Sequence, residues 1–232
     1  MGRAWPALEV VRDEAWLLRA SHGLTRRGDS VLARPGGTSP LAERIARAEA
    51  FAAAHGRRTL FQLSAASEPG LDDELARRGY AHEAQTSVLT AALVGLADET
   101  ADVELTAEPT PDWLALWDDA EGYGARLPLA QEILAAIVQP AAYALLRVDG
   151  DVAAQARAVV DGEHLGVYAV ATRPAFRRRG LARACLAALA RWGADAGATT
   201  AYLLVERHNT PAVALYKRLG FEERFVYWYR AR

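Results

Sequence analysis

Two different spacings of apolar residues alternate along the second half of the chain and predict alternating strands and helices. Residues 165–172 form a short apolar run that Pro174 ends, which is typical of a buried β-strand. Residues 200–205 form a second such run. Between these strands, four apolar residues at helical spacing predict an amphipathic helix: Leu181, Cys185, Leu189 and Trp192. A shorter helix is expected after the second strand, ending at Gly220.

The first 95 residues show a similar order of elements. After a helical or irregular lead-in over residues 1–12, the expected elements are strands at 14–20 and 29–33, a helix at 40–55, a strand at 59–63, a helix at 71–78 and extended chain at 80–92. Ser39 is predicted to cap the first helix, with Pro40 as its first residue.

A constant offset relates the two parts of the chain. Gly79 and Gly220 lie 141 positions apart, and the same offset places the helix at 40–55 on residues 181–196 and Phe61 on Tyr202. This regularity predicts that residues 1–95 are a truncated, degenerate copy of the fold formed by residues 101–232, with residues 93–101 as the connection.

The remaining elements of the second part are predicted from their patterns and turns. They are a strand at 103–106, helices at 111–121 and 129–138, and a hairpin of strands 142–148 and 152–160. The tail, 224–230, is expected to be an edge strand with Phe225, Tyr227 and Tyr229 on one face. An alternative is that some of these rings line an acceptor pocket.

Three consecutive arginines, Arg177 to Arg179, stand before Gly180 at the predicted start of the long helix. Unpaired backbone N–H groups and the helix dipole attract an anion to such a start. Gly180 has no side chain to block close approach, and the arginines add charge and phosphate donors. Taken alone, a basic helix start is more often a solvated face. If the turn binds an anion, a pyrophosphate suits it best.

A second pattern follows at a fixed distance behind this turn. It reads N-x-x-A-x-x-L-Y-x-x-x-G-F and is formed by Asn209, Ala212, Leu215, Tyr216, Gly220 and Phe221. Thr210 is predicted to be the N-cap of this helix and Pro211 its first residue.

The two patterns, in this order and spacing, resemble the signature of the GNAT superfamily of N-acetyltransferases. The resemblance covers roughly residues 101–232. It implies an α/β (α+β) fold with a mixed central sheet, in which two parallel strands, 163–171 and 200–206 here, splay apart to bind acetyl-CoA. It also implies an N-acetyltransferase that moves an acetyl group from the CoA thioester directly to a primary amine. Residues 1–95 would then be a truncated GNAT-like repeat.

The resemblance also implies roles for individual residues. Tyr216 matches the general acid that protonates the departing CoA sulfur, and backbone N–H near Val170 would polarise the thioester carbonyl. The expected CoA-binding residues are Val170, Thr172, Arg177, Arg178, Arg179, Gly180, Leu181, Ala182 and Asn209. Asn209 either contacts CoA or caps the helix. No metal is expected.

The general base is where the sequence departs from the family. Relatives place a glutamate at one of two positions, which are Leu204 and Gly166 here. The candidates that remain are His164, Tyr168, Glu206, Glu121, Tyr123 and a water molecule, or the amine arrives already neutral.

The first part of the chain lacks the signature altogether, because Gly180 aligns with Ser39 and the arginines align with residues 36–38. We therefore expect it not to bind CoA, and to wall the acceptor cleft or serve structure alone.

Composition and charge limit the binding partners and the cellular compartment expected for the protein. A net charge of −2 gives no overall attraction to nucleic acid or anionic lipid, and the single cysteine excludes an intrachain disulfide. Cys185 is expected to be a small core residue. The histidines, at 22, 55, 82, 164 and 208, show no metal-ligand spacing. Without a long apolar run, the expectation is a cytoplasmic protein, monomeric or homodimeric, that binds neither membrane nor nucleic acid.

The expected acceptor is a small-molecule amine or a peptide or protein amine. An aminoglycoside-like antibiotic, an amino acid, a protein N-terminus and a cysteine-conjugate amine, as in tandem mycothiol synthase-like enzymes, all stay open. Residues 202–221 most resemble the ribosomal-protein N-terminal acetylases, but Leu204 replaces their glutamate. The alternative to an enzyme is a non-catalytic acyl-CoA-binding sensor or interaction protein.

Overall fold

The computed structural model of the protein describes residues 2–96 and 102–232. The strands are β1 (Glu9–Asp13), β2 (Trp16–Ala20), β3 (Val31–Leu32), β4 (Leu60–Ser64), β5 (Ala81–Ala92), β6 (Glu104–Thr106), β7 (Ala141–Val148), β8 (Asp151–Asp161), β9 (His164–Thr172), β10 (Thr200–Glu206) and β11 (Glu222–Ala231). The α-helices are α1 (Leu41–Ala54), α2 (Leu71–Arg77), α3 (Pro111–Glu121), α4 (Leu127–Ala135), α5 (Leu181–Asp195) and α6 (Thr210–Arg218). Short 3-10 turns lie at Leu93–Gly95, Gly124–Arg126 and Pro174–Phe176.

All the described strands belong to one mixed sheet, in the order β1-β2-β3-β4-β11-β5-β10-β9-β8-β7-β6. The pairs β3–β4 and β9–β10 are parallel, and the other pairs of adjacent strands are antiparallel. This arrangement confirms the predicted α/β class with a mixed central sheet. Most predicted elements lie within a few residues of their observed bounds, because alternating and helical patterns are local properties of the chain.

The two parts of the chain exchange their last strands. β5, from the first part, lies between β10 and β11, and β11, from the end of the chain, lies between β4 and β5. The prediction that the tail is an edge strand was therefore wrong. Tyr227 and Tyr229 are both buried while Phe225 is exposed, because bulges in β11 break the alternation on either side of Tyr227.

The exchange bears on the predicted division of the chain at about residue 95. That division and the repeat stay predictions, and residues 97–101 of the expected connection lie outside the described residues. The observed bounds of α1, β4, α2 and β5 nevertheless correspond to those of α5, β10, α6 and β11 at the predicted offset, within a few residues.

The start of the chain differs from the prediction. Residues 9–13 are a strand that forms a hairpin with β2, and Glu14 occupies its turn with a φ of 53°. Ser39 does not cap α1, because Pro40 is the N-cap residue and no side chain bonds there. Instead the backbone N–H groups of Thr38 and Ser39 donate to the Glu14 carboxylate, at 2.5 and 3.3 Å. Hydrogen bonds from Ser39 and Thr38 lower the pKa of Glu14 to about 2.

Three large apolar clusters hold the layers together. The largest lies where α5 packs on β7, β8, β9 and β10, and it contains Cys185 and Leu189, which have no exposed surface. Cys185 is therefore a core residue, as predicted, and burial raises the pKa of its thiol to about 12. Another cluster joins the beginning of the chain to the second part, because Trp5 and Leu24 pack with residues of α3 and α4.

Candidate active site

The strands β9 and β10 separate in the middle of the sheet. They pair in parallel only from His164–Thr200 to Val167–Leu203, so residues 168–172 have no partner strand on that side. On the other side, β9 remains paired with β8 as far as Thr172. The unpaired N–H and C=O groups of β9 are therefore available to an extended ligand in the gap.

A β-bulge lies in the unpaired part of β9. The register between β8 and β9 shifts after the pair Arg157–Tyr168, and Ala169 has a φ of 50°. The extra residue re-aims the backbone at Val170, the position where the sequence predicts the donor to the thioester carbonyl. The bulge was not predicted, because apolar residues on both sides of it hide the change of register.

The arginine-rich turn has the geometry of an anion site. Arg178 and Gly180 both adopt left-handed conformations, with φ of 65° and 79°, and Gly180 is the N-cap of α5. Alternation of this kind points successive N–H groups into one concavity, and the helix start adds the donors of Leu181 and Ala182. A Cβ built on Gly180 meets no atom within 4 Å, so the space in front of the turn is open.

A cavity of about 880 Å³ connects the splayed strands, the turn and α6. It is lined by nine of the ten predicted site residues: Val170, Thr172, Arg177, Arg178, Gly180, Leu181, Ala182, Asn209 and Tyr216. Arg179 is not among the lining residues, and its guanidinium instead lies 5.6 Å from the centre of the Phe176 ring. We call this space the donor cavity.

Asn209 caps α6, which is one of the two roles that the sequence left open for it. Its side-chain oxygen accepts from the backbone N–H of Ala212 at 3.3 Å, so Asn209 rather than Thr210 is the N-cap residue. The prediction for Thr210 was wrong because both residue types suit the position and only the backbone geometry selects between them. Asn209 also lines the donor cavity, so the capped start of α6 lies at the wall of that cavity.

Tyr216, on α6, lines the donor cavity together with Arg218 of the same helix. It is 8% exposed, and its ring packs edge-on against Phe221 at 5.8 Å. Burial raises the pKa of its hydroxyl to about 12, so the hydroxyl is protonated at neutral pH. A protonated hydroxyl at the wall of this cavity can donate to a ligand atom but cannot act as a base.

A second cavity, of about 570 Å³, lies on the other side of Glu121. Its walls come from both parts of the chain: the loop of residues 23–29, Arg57 and Arg58, β5, β10 and the aromatic residues of β11. Tyr227 and Tyr229 line it, in agreement with the alternative interpretation of the tail as part of a pocket. We call this space the acceptor cavity.

Two tyrosines occupy the place where a glutamate is missing. The hydroxyls of Tyr168 and Tyr202 are 2.7 Å apart and buried. A Cβ at Gly166 would lie 2.5 Å from the Tyr202 hydroxyl oxygen and 2.8 Å from Tyr168 Cε2. No side chain fits at position 166 while this pair is in place, so the missing glutamate is replaced by a packed pair of rings.

Glu121 lines both cavities. It is the last residue of α3, before Gly122, which has a φ of 69° and ends the helix. Although much of the residue is exposed, desolvation by surrounding protein raises the pKa of its carboxyl, and the charge of Arg27 partly offsets this. A carboxylate that lines two cavities and has a raised pKa is suited to accept a proton.

The other predicted base candidates are placed less favourably. Glu206 lines the acceptor cavity but is engaged by Arg26 at 2.9 Å and by His208 at 3.3 Å. His164, Tyr168 and Tyr123 line neither cavity. Desolvation also raises the pKa values of Tyr168 and Tyr123, which makes both poor bases. Glu121 is thus the candidate best placed to reach a reacting amine.

Two further observations concern the described residues only. They contain no group of three or more His, Cys, Asp or Glu side chains arranged to hold a metal ion. None of their helices has the length and the apolar character needed to cross a membrane.

The sheet with its splayed parallel strands, together with the cleft beside α5 and α6, is that of the GNAT superfamily, and the protein is an acetyltransferase. Residues 1–230 match the family described as "Probable histone acetyltransferase Rv0428c C-terminal", and the chain belongs to that family.

Individual relatives agree with this assignment. The chain is 26% identical over 236 residues to the "Uncharacterized N-acetyltransferase YobR" of Bacillus subtilis. This match covers 99% of this chain and 94% of that protein. It is similar in fold to a GCN5-related N-acetyltransferase from Kribbella flavida, with a TM-score of 0.65, 21% identity and coverage of 97% and 89%. A tandem GNAT protein from the clavulanic acid biosynthesis pathway gives a TM-score of 0.65 at 17% identity, covering 88% of this chain and 74% of that one.

Proposed function

We propose that the protein transfers the acetyl group of acetyl-CoA to a primary amine, with the donor bound in the donor cavity and the amine entering from the acceptor cavity. The observation that carries this proposal is the position of Glu121, which lines both spaces. A proton-accepting group between a donor site and an acceptor site is what direct transfer to an amine requires.

The residues of the donor cavity fit an acyl-CoA. The turn of Arg177, Arg178 and Gly180 presents backbone donors and positive charge to a pyrophosphate. The unpaired stretch of β9 can hydrogen-bond an amide-containing arm, and the space in front of Gly180 is open. A volume of about 880 Å³ is within the range of sites for ligands of this size.

Bound acetyl-CoA would supply an acetyl group activated as a thioester. Backbone N–H at the β9 bulge near Val170 would stabilise the developing negative charge on the carbonyl oxygen. As the amine nitrogen bonds to the acetyl carbon and the carbon–sulfur bond breaks, Glu121 would accept a proton from the nitrogen. The Tyr216 hydroxyl would donate to the sulfur that leaves.

The first part of the chain would have a role at the acceptor side rather than at the donor side. At the start of α1, the carboxylate of Glu14 already binds the N–H groups of Thr38 and Ser39, where a ligand anion would otherwise lie. The loop of residues 23–29 instead forms one wall of the acceptor cavity. We therefore propose that residues 1–95 are a degenerate GNAT-like repeat that shapes the acceptor site.

The test of donor binding is calorimetric titration with acetyl-CoA of the wild type, Gly180→Trp and Gly197→Trp. Gly197 is a matched control, because it also has a positive φ and open space around its Cβ position but lies at the other end of α5, outside the donor cavity. We expect binding by the wild type and the control, and loss of binding by Gly180→Trp.

Three outcomes would contradict the proposal or one of its parts. Absence of acetyl-CoA binding by the wild type would refute the donor site. Equal loss in both variants would show that the effect of position 180 comes from backbone strain and not from the site. Binding without transfer to any amine would favour a non-catalytic acyl-CoA sensor.

A further inference from the structure

Arg27 lines the acceptor cavity, and two of its guanidinium nitrogens have no hydrogen-bond partner among the residues that the structure describes. Its Nε and Nη1 atoms are buried, and no hydrogen bond or ion pair among the described residues engages them. The Cζ atom of Arg27 lies 5.6 Å from the centre of the Tyr168 ring, a cation–π contact that supplies no hydrogen-bond acceptor in the plane of the guanidinium. Arg44 and Arg157 also have buried N–H groups without a hydrogen-bond partner, but of these three arginines only Arg27 lines the acceptor cavity. Because buried donors without acceptors are costly, a ligand anion in this cavity would be stabilised by pairing with Arg27.

The other arginines of this cavity differ from Arg27. Arg26 pairs with Glu206 at 2.9 Å, and Arg58 pairs with both oxygens of Glu83 at 2.7 and 2.9 Å. Arg57 is exposed, so its guanidinium can hydrogen-bond to solvent. Arg27 is therefore the arginine of the cavity whose N–H donors are both buried and unused.

The acidic residues of the cavity do not neutralise Arg27. Asp29 is committed to the loop, because its Oδ1 accepts the N–H groups of Ser21 and Gly23, both at 2.8 Å, although its buried Oδ2 has no partner. Neither oxygen lies within ion-pair distance of Arg27. Glu121 and Arg27 both line this cavity, and the charge of Arg27 partly offsets the raised pKa of the Glu121 carboxyl.

We propose that the acceptor is an amine that also carries an oxyanion, a carboxylate or a phosphate, and that Arg27 binds this anion while Glu121 receives the proton of the amine. The inference rests on the proposed function, since it assumes that the amine reacts beside Glu121. The inference specifies the substrate class as an amine that also carries an anion. A guanidinium and a carboxylate at separate places on one cavity complement such a zwitterion.

Strongly basic acceptors are disfavoured by the same arrangement. Four arginines line the cavity, and only two of them are paired with carboxylates. A lysine-rich peptide segment would bring like charges to this surface, which is unfavourable in a desolvated site. An amine without a charge would leave the donors of Arg27 unsatisfied.

The test compares amines that differ only in the anion. Phenylalanine is paired with phenethylamine, and phosphoethanolamine with ethanolamine, and kcat/KM with acetyl-CoA is measured for each. We expect the wild type to prefer the anionic member of at least one pair by about tenfold or more, since a hydrogen bond to a charged group supplies a difference of this order. Which pair shows the preference distinguishes the carboxylate from the phosphate.

Three variants locate the effect. Arg27→Met should reduce the preference to within about twofold, while Arg27→Lys, which keeps a charge, should retain part of it. Arg58→Met is the matched control, because Arg58 lines the same cavity but is already paired with Glu83. It should keep the wild-type preference. Thermal unfolding of each variant checks that it is folded.

The results separate this inference from the proposed function. Transfer to neutral amines without preference for anionic ones would overturn the inference and leave the proposed function in place, as would a preference that survives in Arg27→Met. Equal loss in Arg58→Met would overturn it in favour of general charge attraction. If turnover is too slow, calorimetric binding of N-acetylphenylalanine and N-acetylphenethylamine to the CoA complex gives the same comparison.

Discussion

Replacing Tyr216 by phenylalanine tests the chemistry of the donor cavity with little change to its shape. The ring is 8% exposed and packed against Phe221, and the substitution removes the hydroxyl while leaving these contacts. The ring lies within the large apolar cluster under α5, so the loss of one partly buried hydroxyl should leave the fold intact.

The expected size of the effect follows from the pKa of the hydroxyl. That pKa is about 12, which lies roughly 3.5 pH units above the pKa of an ordinary thiol. At about 1.36 kcal/mol per unit, complete proton transfer from Tyr216 to such a thiolate would cost about 5 kcal/mol. The hydroxyl is therefore expected to stabilise the departing sulfur mainly as a hydrogen-bond donor. A hydrogen bond to a charged atom contributes about 1.5–3 kcal/mol, so Tyr216→Phe should lower kcat roughly 10- to 150-fold.

The assay follows release of the CoA thiol from acetyl-CoA with any accepted amine, over a range of pH. If Tyr216 acts as a donor, kcat should fall by a similar factor at every pH, and the affinity for acetyl-CoA should change little. Tyr80→Phe is the control, because Tyr80 is also buried and donates to Glu49 at 2.7 Å but lines neither cavity. It should leave kcat unchanged.

Two results would refute this reasoning. An unchanged kcat in Tyr216→Phe would exclude contact of the hydroxyl with the reacting atoms. A loss greater than about 10⁴-fold would show that the proton is fully transferred in the rate-limiting step, as in general acid catalysis at its upper range. The pKa of Tyr216 in the ligand-bound enzyme would then have to be far below its value in this structure.

The remaining predictions concern the acceptor side. Glu121→Gln should lower kcat/KM about 10²- to 10⁴-fold and remove the acidic limb of the pH profile. In the wild type this limb should lie above pH 4.5, because desolvation raises the pKa of the Glu121 carboxyl. If the limb persists in the variant, another group is the base. Gly166→Ala should destabilise the fold by about 2–4 kcal/mol in denaturant unfolding, because its Cβ would displace Tyr202 and break the hydroxyl pair with Tyr168. A cost below about 0.5 kcal/mol would contradict the packing argument.

The residues that line the donor cavity could be singled out because two sequence patterns resemble the GNAT signature. Val170 lies on β9, Gly180 is the N-cap of α5 and Tyr216 lies on α6, so each belongs to a segment whose pattern is visible in the local sequence. Local rules fix the helix starts, the glycine in the left-handed region and the apolar stripe of α5. The bulge in β9 is an exception, because it depends on the register with β8.

The acceptor side could not be predicted in the same way. Arg27 and Glu121 come from different parts of the chain, and nothing in their local sequence distinguishes them from solvated surface charges. Glu121 was one of several candidates for the base, and Arg27 was missed. The signal that could have drawn attention to Arg27 is weak: two consecutive arginines in a short loop between strands.

By itself the sequence determined which segments form strands and helices, and that an arginine-rich turn begins a long helix behind a buried strand. These are properties of neighbouring residues, since burial of one face repeats at a fixed period. The tertiary structure alone decided that β5 and β11 exchange places, that Tyr168 and Tyr202 fill the position of a missing carboxylate, and that Glu121 joins two cavities. Strand order and cavity walls depend on contacts between residues distant along the chain, and a periodic pattern specifies a buried face without specifying its partner.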